Sequence, residues 1–121
     1  MPIERRHVGK RLSEAVVFTP ANERLVYLAG QVAEDPKADM KTQTKQVLAA
    51  IDRLLAEVGS DKTRLLSATL YLPDMHDFAA LNELWEAWVV PGHTPARATV
   101  QAALAGPDYK VEIQVVATAP A

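Results

Sequence analysis

Hydrophobic residues recur at helical spacing in two segments of this chain. The first segment contains Val47, Leu48, Ile51, Leu54, Leu55 and Val58, and the second contains Phe78, Leu81, Leu84, Trp85 and Trp88. Each set forms one apolar stripe on a helix. Asp39 is placed to cap the first helix and Gly59 to end it. Asp74 is placed to cap the second helix, and Pro91-Gly92 to stop it.

Strand patterns occupy much of the remaining chain. Polar and apolar residues alternate over residues 66–72, 97–102 and 111–117. Residues 15–19 and 25–29 are short β-prone runs on either side of a turn, which predicts a hairpin. The second run is apolar throughout until Gly30, which predicts a strand that is covered on both faces.

These elements follow one another in the order β-β-α-β-α-β-β. The sequence therefore predicts an α+β fold in which a mixed β-sheet carries two helices packed on one face. The 121 residues contain no internal repeat and no linker, so residues 1–121 are expected to form a single domain.

The composition argues against several classes of function. The chain contains no cysteine, which excludes thiol catalysis and disulfides, and its formal net charge of −2 without a basic stripe disfavours nucleic-acid binding. The N-terminal segment lacks the apolar core of a secretory signal, and no apolar run approaches the ~20 residues of a membrane span. A cytoplasmic protein is expected.

Arg97 is the leading candidate for ligand binding, because a planar guanidinium suits bidentate recognition of a carboxylate. Glu112, on the last predicted strand, is the matching acid. Each residue also has a plainer interpretation. Arg97 would then be a surface residue on the open face of the sheet, and Glu112 an exposed residue paired with Lys110.

The spacing of Arg97 and Glu112 raises a geometric question. If the last two strands form a hairpin, the two residues lie about five residues, roughly 16 Å, apart along the strands. One chain would not easily bring both to one small ligand. A pocket across a subunit interface would.

Other motifs offer little catalytic chemistry. The three histidines are far apart and none has metal-ligand spacing, so no metal site is predicted. No serine lies in a nucleophile-elbow motif, and no glycine-rich phosphate loop is present. The spacing of Trp85 and Trp88 predicts core or interface packing rather than a ligand cage.

Five stretches together resemble the RidA/YjgF family of reactive-intermediate deaminases and L-PSP endoribonucleases. They are Leu28-Ala29-Gly30-Gln31-Val32, Gln43-Thr44, Asp77-Phe78-Ala79-Ala80-Leu81-Asn82, Pro95-Ala96-Arg97-Ala98-Thr99-Val100 and Val111-Glu112-Ile113. In this order they span nearly the whole chain, and residues 85–93 are similar to the YoaB branch in particular.

The resemblance implies a chorismate-mutase-like fold, a barrel-like homotrimer with a cleft at each interface, and no cofactor. For catalytic members it implies hydrolysis of 2-imino acids or enamines to 2-keto acids and ammonia. Arg97 would hold the substrate carboxylate, and Glu112 would orient water or move protons. Gly30, Asn82 and Thr99 would line the cleft.

The chain departs from the deaminase pattern at three substrate-binding positions. Leu12 stands where many members carry a tyrosine, Ala29 replaces a serine and Thr99 replaces a cysteine. Three hypotheses follow. The first is a 2-imino acid deaminase, and the second is a non-catalytic, regulatory binder of small carboxylate metabolites, which the altered cleft favours. The third is a ribonuclease or translation inhibitor, which the acidic balance opposes.

Overall fold

The computed structural model describes residues 3–8, 10 and 13–121. The strands are β1 (Ile3–Val8), β2 (Ser13–Phe18), β3 (Glu23–Leu28), β4 (Gln31–Val32), β5 (Leu65–Leu72), β6 (Ala96–Gln101) and β7 (Glu112–Pro120). The helices are α1 (Met40–Glu57) and α2 (Phe78–Trp88). Short 3-10 turns, Lys62–Arg64 and Met75–Asp77, lead into β5 and α2.

The described strands form one mixed sheet in the order β1-β2-β3-β7-β5-β6, and β4 also pairs with β7. The β5-β6 pair is parallel and is connected through α2, whereas the other pairs are antiparallel. The buried residues of both helices join those of β2, β3, β5 and β7 in a single core cluster. The predicted α+β fold, with two helices on one face of a mixed sheet, is confirmed.

The last two strands, β6 and β7, do not form a hairpin, so the condition behind the spacing of roughly 16 Å is not met. β5 lies between β6 and β7, because it pairs in parallel with β6 and antiparallel with β7. A strand alternates between the two faces of a sheet whichever neighbour it has, so the sequence pattern does not distinguish these arrangements. The early hairpin, formed by β2 and β3, is confirmed.

Three further expectations about the strands need correction. The pattern does not predict β1, an edge strand of mostly exposed residues, or the two-residue β4. Residues 25–29 are covered on one face only within the chain, since Tyr27 is 45% exposed. In β5 a register shift between Leu65 and Ser67 buries Leu65 and exposes Leu66, so the alternation holds only from Ser67 onward.

The predicted helix signals are seen in the structure of α1. The Asp39 side chain accepts a hydrogen bond from the Thr42 backbone N–H at 2.7 Å, which lowers the pKa of Asp39. Gly59 follows the helix with φ of +78°, and Ser60 N–H bonds to Leu55 O at 2.8 Å. This closes the last turn in a Schellman motif, which favours glycine at that position.

Asp74 does not cap α2, although its position predicts that role. Its side chain caps the Met75–Asp77 turn by accepting a hydrogen bond from His76 N–H at 2.9 Å. The N-cap of α2 itself is Asp77, which makes no side-chain cap bond. The chain therefore enters α2 through a capped 3-10 turn.

Gln43 ties two loops together from inside the core. It is fully buried on the first turns of α1, and its Nε2 lies 3.0 Å from the carbonyl oxygens of Pro36, Ala38 and Asp108. Its Oε1 accepts a hydrogen bond from Lys110 N–H at 2.9 Å. One amide thus fixes the segment before α1 and the segment before β7.

We expect Gln43→Leu to lower the free energy of unfolding by about 3 kcal/mol, because it leaves several buried backbone groups without partners. Urea unfolding followed by circular dichroism measures this. Lys41→Leu, at an exposed position of the same helix, should change the free energy far less. Equal effects of the two substitutions would contradict a clamp role for Gln43.

Candidate functional site

Arg97 lies on β6, and its side chain projects to the helix-bearing face of the sheet. In the parallel ladder it pairs with the buried Ala68 of β5, so both side chains point toward the helices. The Arg97 Cζ lies 5.9 Å from the Phe78 ring centre and 5.7 Å from the Trp85 ring centre. These cation–π contacts orient the exposed guanidinium against α2.

Two further predicted residues lie beside Arg97. Thr99 is on the same face of β6, and its Oγ1 is buried without a hydrogen-bond partner among the described residues. Asn82 follows Phe78 by one helical turn and precedes Trp85 by nearly one, so it occupies the same side of α2. Arg97, Thr99 and Asn82 form the arginine cluster.

Glu112 occupies a niche made by a glycine. It pairs with Val32 of β4 and Tyr71 of β5. A Cβ added to Gly30 would overlap the Glu112 carboxylate and lie 3.0 Å from its Cδ. The absence of a side chain at position 30 therefore leaves the space that the carboxylate fills. Gly30 and Glu112 form the glutamate niche.

Ala29 is held next to this niche. Its backbone N–H donates to Glu14 O at 2.8 Å, and its carbonyl accepts from Gln31 Nε2 at 3.0 Å. The first bond extends the β2-β3 pairing by one residue, and both bonds fix the backbone that leads into Gly30. Leu12, the remaining predicted substrate-binding residue, lies outside the described residues.

The arginine cluster and the glutamate niche lie on opposite faces of the sheet within one chain. Glu112 alternates with Val111 and Ile113, whose side chains are buried under the helices, so it points to the open face. Arg97 is opposite Ala68 and Glu112 is opposite Tyr71. The two residues are offset by three positions along the strands and lie two strands apart. Their Cα atoms are therefore about 14 Å apart.

The plainer interpretations of the two residues fit only in part, since Arg97 is an exposed residue. Arg97 is on the helix-bearing face rather than the open face. Among the described residues, neither Arg97 nor Glu112 takes part in an ion pair, and Glu112 is not bridged to Lys110. Both charges are therefore free to meet a ligand or another chain.

Phe78 and Trp85 support Arg97, a role that their helical spacing alone does not indicate. Both follow the apolar stripe of α2, and that stripe predicts core packing. Their contact with Arg97 becomes apparent only when β6 is placed beside β5. Gln43, quoted above only as part of a motif, similarly fixes the segment that leads to Glu112.

The described residues contain no group of three or more histidine, aspartate or glutamate side chains placed to hold a metal ion. No helix among them is long and apolar enough to cross a membrane. Two cavities lie on the helix side, one lined by residues including Lys45 and Trp88 and the other by residues including Gln31 and Arg53. Neither is lined by Arg97 or Glu112.

The family model described as Endoribonuclease L-PSP matches residues 6–119. The chain belongs to the RidA/YjgF family. It is 47% identical over 117 residues to the RutC family protein YoaB of Escherichia coli, covering 97% of this chain and 98% of that protein. It is 45% identical over 119 residues to a RutC family protein of Haemophilus influenzae, covering 98% and 99%. The resemblance to the YoaB-like branch is confirmed.

Solved RidA/YjgF structures share the fold. A YjgF-family protein of Neisseria meningitidis matches with a TM-score of 0.90 and 45% identity, covering 98% of this chain and 96% of that one. A protein of Salmonella typhimurium described as a putative translation initiation inhibitor matches with a TM-score of 0.79 and 45% identity, covering 95% and 96%. These likenesses support the fold and the family and leave the reaction open.

We expect Gly30→Ala to destabilise the protein by about 2 kcal/mol, because the new methyl group displaces the Glu112 carboxylate. In a Glu112→Ala background the same substitution should cost at least about 1 kcal/mol less, since the overlap is gone. Thermal unfolding of the four proteins in this cycle measures the coupling. Additive effects would show that Gly30 does not serve to accommodate Glu112.

Proposed function

We propose that this chain is a hydrolytic deaminase that converts 2-imino acids and their enamine tautomers to 2-keto acids and ammonia. The class of substrate is that of 2-iminobutanoate and 2-iminopropanoate, and the reaction takes place in the cytoplasm without a cofactor. Arg97 binds the substrate carboxylate. Glu112 orients and deprotonates the attacking water.

The observation that carries this proposal is that the Arg97 guanidinium is oriented by aromatic rings and forms no ion pair among the described residues. The two rings are those of Phe78 and Trp85. An oriented guanidinium offers a fork of N–H donors that matches a carboxylate. Thr99 beside it lines the cleft through its backbone, because its hydroxyl is buried.

The chemistry requires only positioning and one proton acceptor. Water attacks C2 of the protonated imine while the Glu112 carboxylate takes a proton from the water. The resulting carbinolamine receives that proton on nitrogen. The Glu112 carboxylate then takes the hydroxyl proton as the C–N bond breaks, and ammonia leaves the 2-keto acid. A protonated imine is already electrophilic, so orientation and general base catalysis are sufficient.

The proposed cleft lies between two chains of a homotrimer, since one chain holds its two halves on opposite faces of the sheet. One chain supplies Gly30 and Glu112, and its neighbour supplies Asn82, Arg97 and Thr99. Tyr27 and Val100 expose 45% and 40% of their surface. A second chain would cover such apolar surface, and three head-to-tail interfaces close into a ring.

Arg97→Ala should reduce turnover of 2-imino acids generated in the assay by at least about 100-fold, because the carboxylate loses its bidentate partner. Glu112→Gln should lower kcat with a smaller change in KM, since it removes the base and keeps the shape. Ammonia release measures both. Arg64→Ala, which removes a half-buried arginine paired with Glu23, serves as the control. Wild-type turnover by Arg97→Ala would refute the mechanism.

A mixed trimer tests whether the cleft is shared. Arg97→Ala and Glu112→Ala chains should each be inactive alone, but any trimer containing both has one interface with an intact arginine and an intact glutamate. We expect separately tagged, co-purified mixed trimers to recover about one third of wild-type turnover. Failure of mixed trimers to recover any activity would place both groups in one chain's site or outside the site.

A non-catalytic, regulatory binder of small carboxylate metabolites is the second candidate. Ala29 and Leu12 favour it, because apolar side chains at these positions would reduce the polar contacts available in the cleft. In that case 2-keto acids would raise the unfolding temperature of wild type and not of Arg97→Ala, while ammonia release would stay at background. Ribonuclease or translation-inhibitor activity is the minor candidate, and the net charge of −2 opposes it.

A further inference from the structure

A polar cavity lies on the helix side of the sheet, between β4 and α1. Its volume is about 380 Å³, at the lower end of the range for small-molecule sites. Six residues line it: Gln31, Val32, Glu34, Gln46, Ala50 and Arg53. None of them takes part in the reaction proposed above.

Two amide side chains in the cavity are fixed by the backbone and still have unused hydrogen-bonding groups. Gln31 is only 9% exposed, and its Nε2 donates to Ala29 O at 3.0 Å. Its Oε1 and its second N–H have no partner among the described residues. Gln46 Oε1 accepts from Asp35 N–H at 2.9 Å, which leaves the two donors of its Nε2 free.

The cavity also contains one charge of each sign. Arg53 extends from α1 and Glu34 lies beyond β4, and both are exposed. Within the described part of the chain neither forms an ion pair. The guanidinium can bind a carboxylate through two N–H donors, and the Glu34 carboxylate can bind an ammonium group. Ala50 supplies a short apolar wall.

We propose that this cavity binds a small α-amino acid in its zwitterionic form. The ligand carboxylate binds Arg53 and the Gln46 amide, and its ammonium group lies between Glu34 and Gln31 Oε1. A 2-keto acid is a poorer ligand, because it has no cation to offset repulsion by Glu34. The site is separate from the cleft, since the Glu112 side chain is on the opposite face of the sheet.

The experiment uses the full-length protein labelled with ¹⁵N and three related probes. L-Alanine carries both charges, propionate lacks the ammonium group and ethylamine lacks the carboxylate. We expect L-alanine to shift the side-chain amide signals of Gln31 and Gln46 with a Kd on the order of 1 mM. Propionate and ethylamine should bind at least about tenfold more weakly, because each loses one charged contact.

Variants assign the contacts and separate this site from the proposed reaction. Arg53→Gln and Glu34→Gln should each weaken L-alanine binding by about tenfold or more. Lys41→Gln, an exposed substitution on the same helix, and Arg97→Ala should leave it unchanged. The proposal is overturned if L-alanine at about 10 mM shifts neither amide, if propionate binds equally well, or if Arg53→Gln binds normally. None of these outcomes depends on deaminase activity.

Discussion

The parallel pairing of β5 with β6 is the constraint on which the candidate site depends. It sets Arg97 opposite Ala68 and therefore directs the guanidinium toward α2. On its other edge β5 pairs with β7 and sets Glu112 opposite Tyr71, toward the open face. A shift of either register by one residue would reverse the face of every side chain on that strand. The separation of the two charges is thus built into the sheet.

The apolar stripes of both helices and the ends of α1 could be predicted from the sequence, because periodicity and capping are local properties. The stripes of both helices, the Asp39 cap and the Gly59 terminus are all found in the structure. The residues proposed for the site could be named from motifs in the sequence. The order of the strands in the sheet could not be predicted, because an alternating pattern does not identify the neighbouring strand. The β5-β6 pair, the bulge at Leu66 and the contact of Arg97 with Trp85 therefore required the structure.

The glutamate niche shows how residues without reactive groups prepare a reactive one. Gln43 fixes Lys110, two positions before Glu112, and Gly30 leaves the volume that the carboxylate occupies. A buried amide with all its groups bonded resists displacement, because any movement leaves polar atoms unsatisfied. The position of Glu112 therefore rests on one polar clamp and one missing methyl group. The clamp belongs to the core, whereas the missing methyl group at Gly30 belongs to the proposed cleft.

The place of β7 in the sheet has a consequence for folding in the cell. This strand pairs with β3, β4 and β5, joining Val26 to Ala117 and Gln31 to Ile113. Contacts so distant in sequence close large loops and slow folding. During synthesis the middle of the sheet cannot form until β7 has left the ribosome. Until then the edges of β3 and β5 that β7 covers remain unpaired. Such edges favour association between nascent chains, so chaperone protection would matter most in that interval.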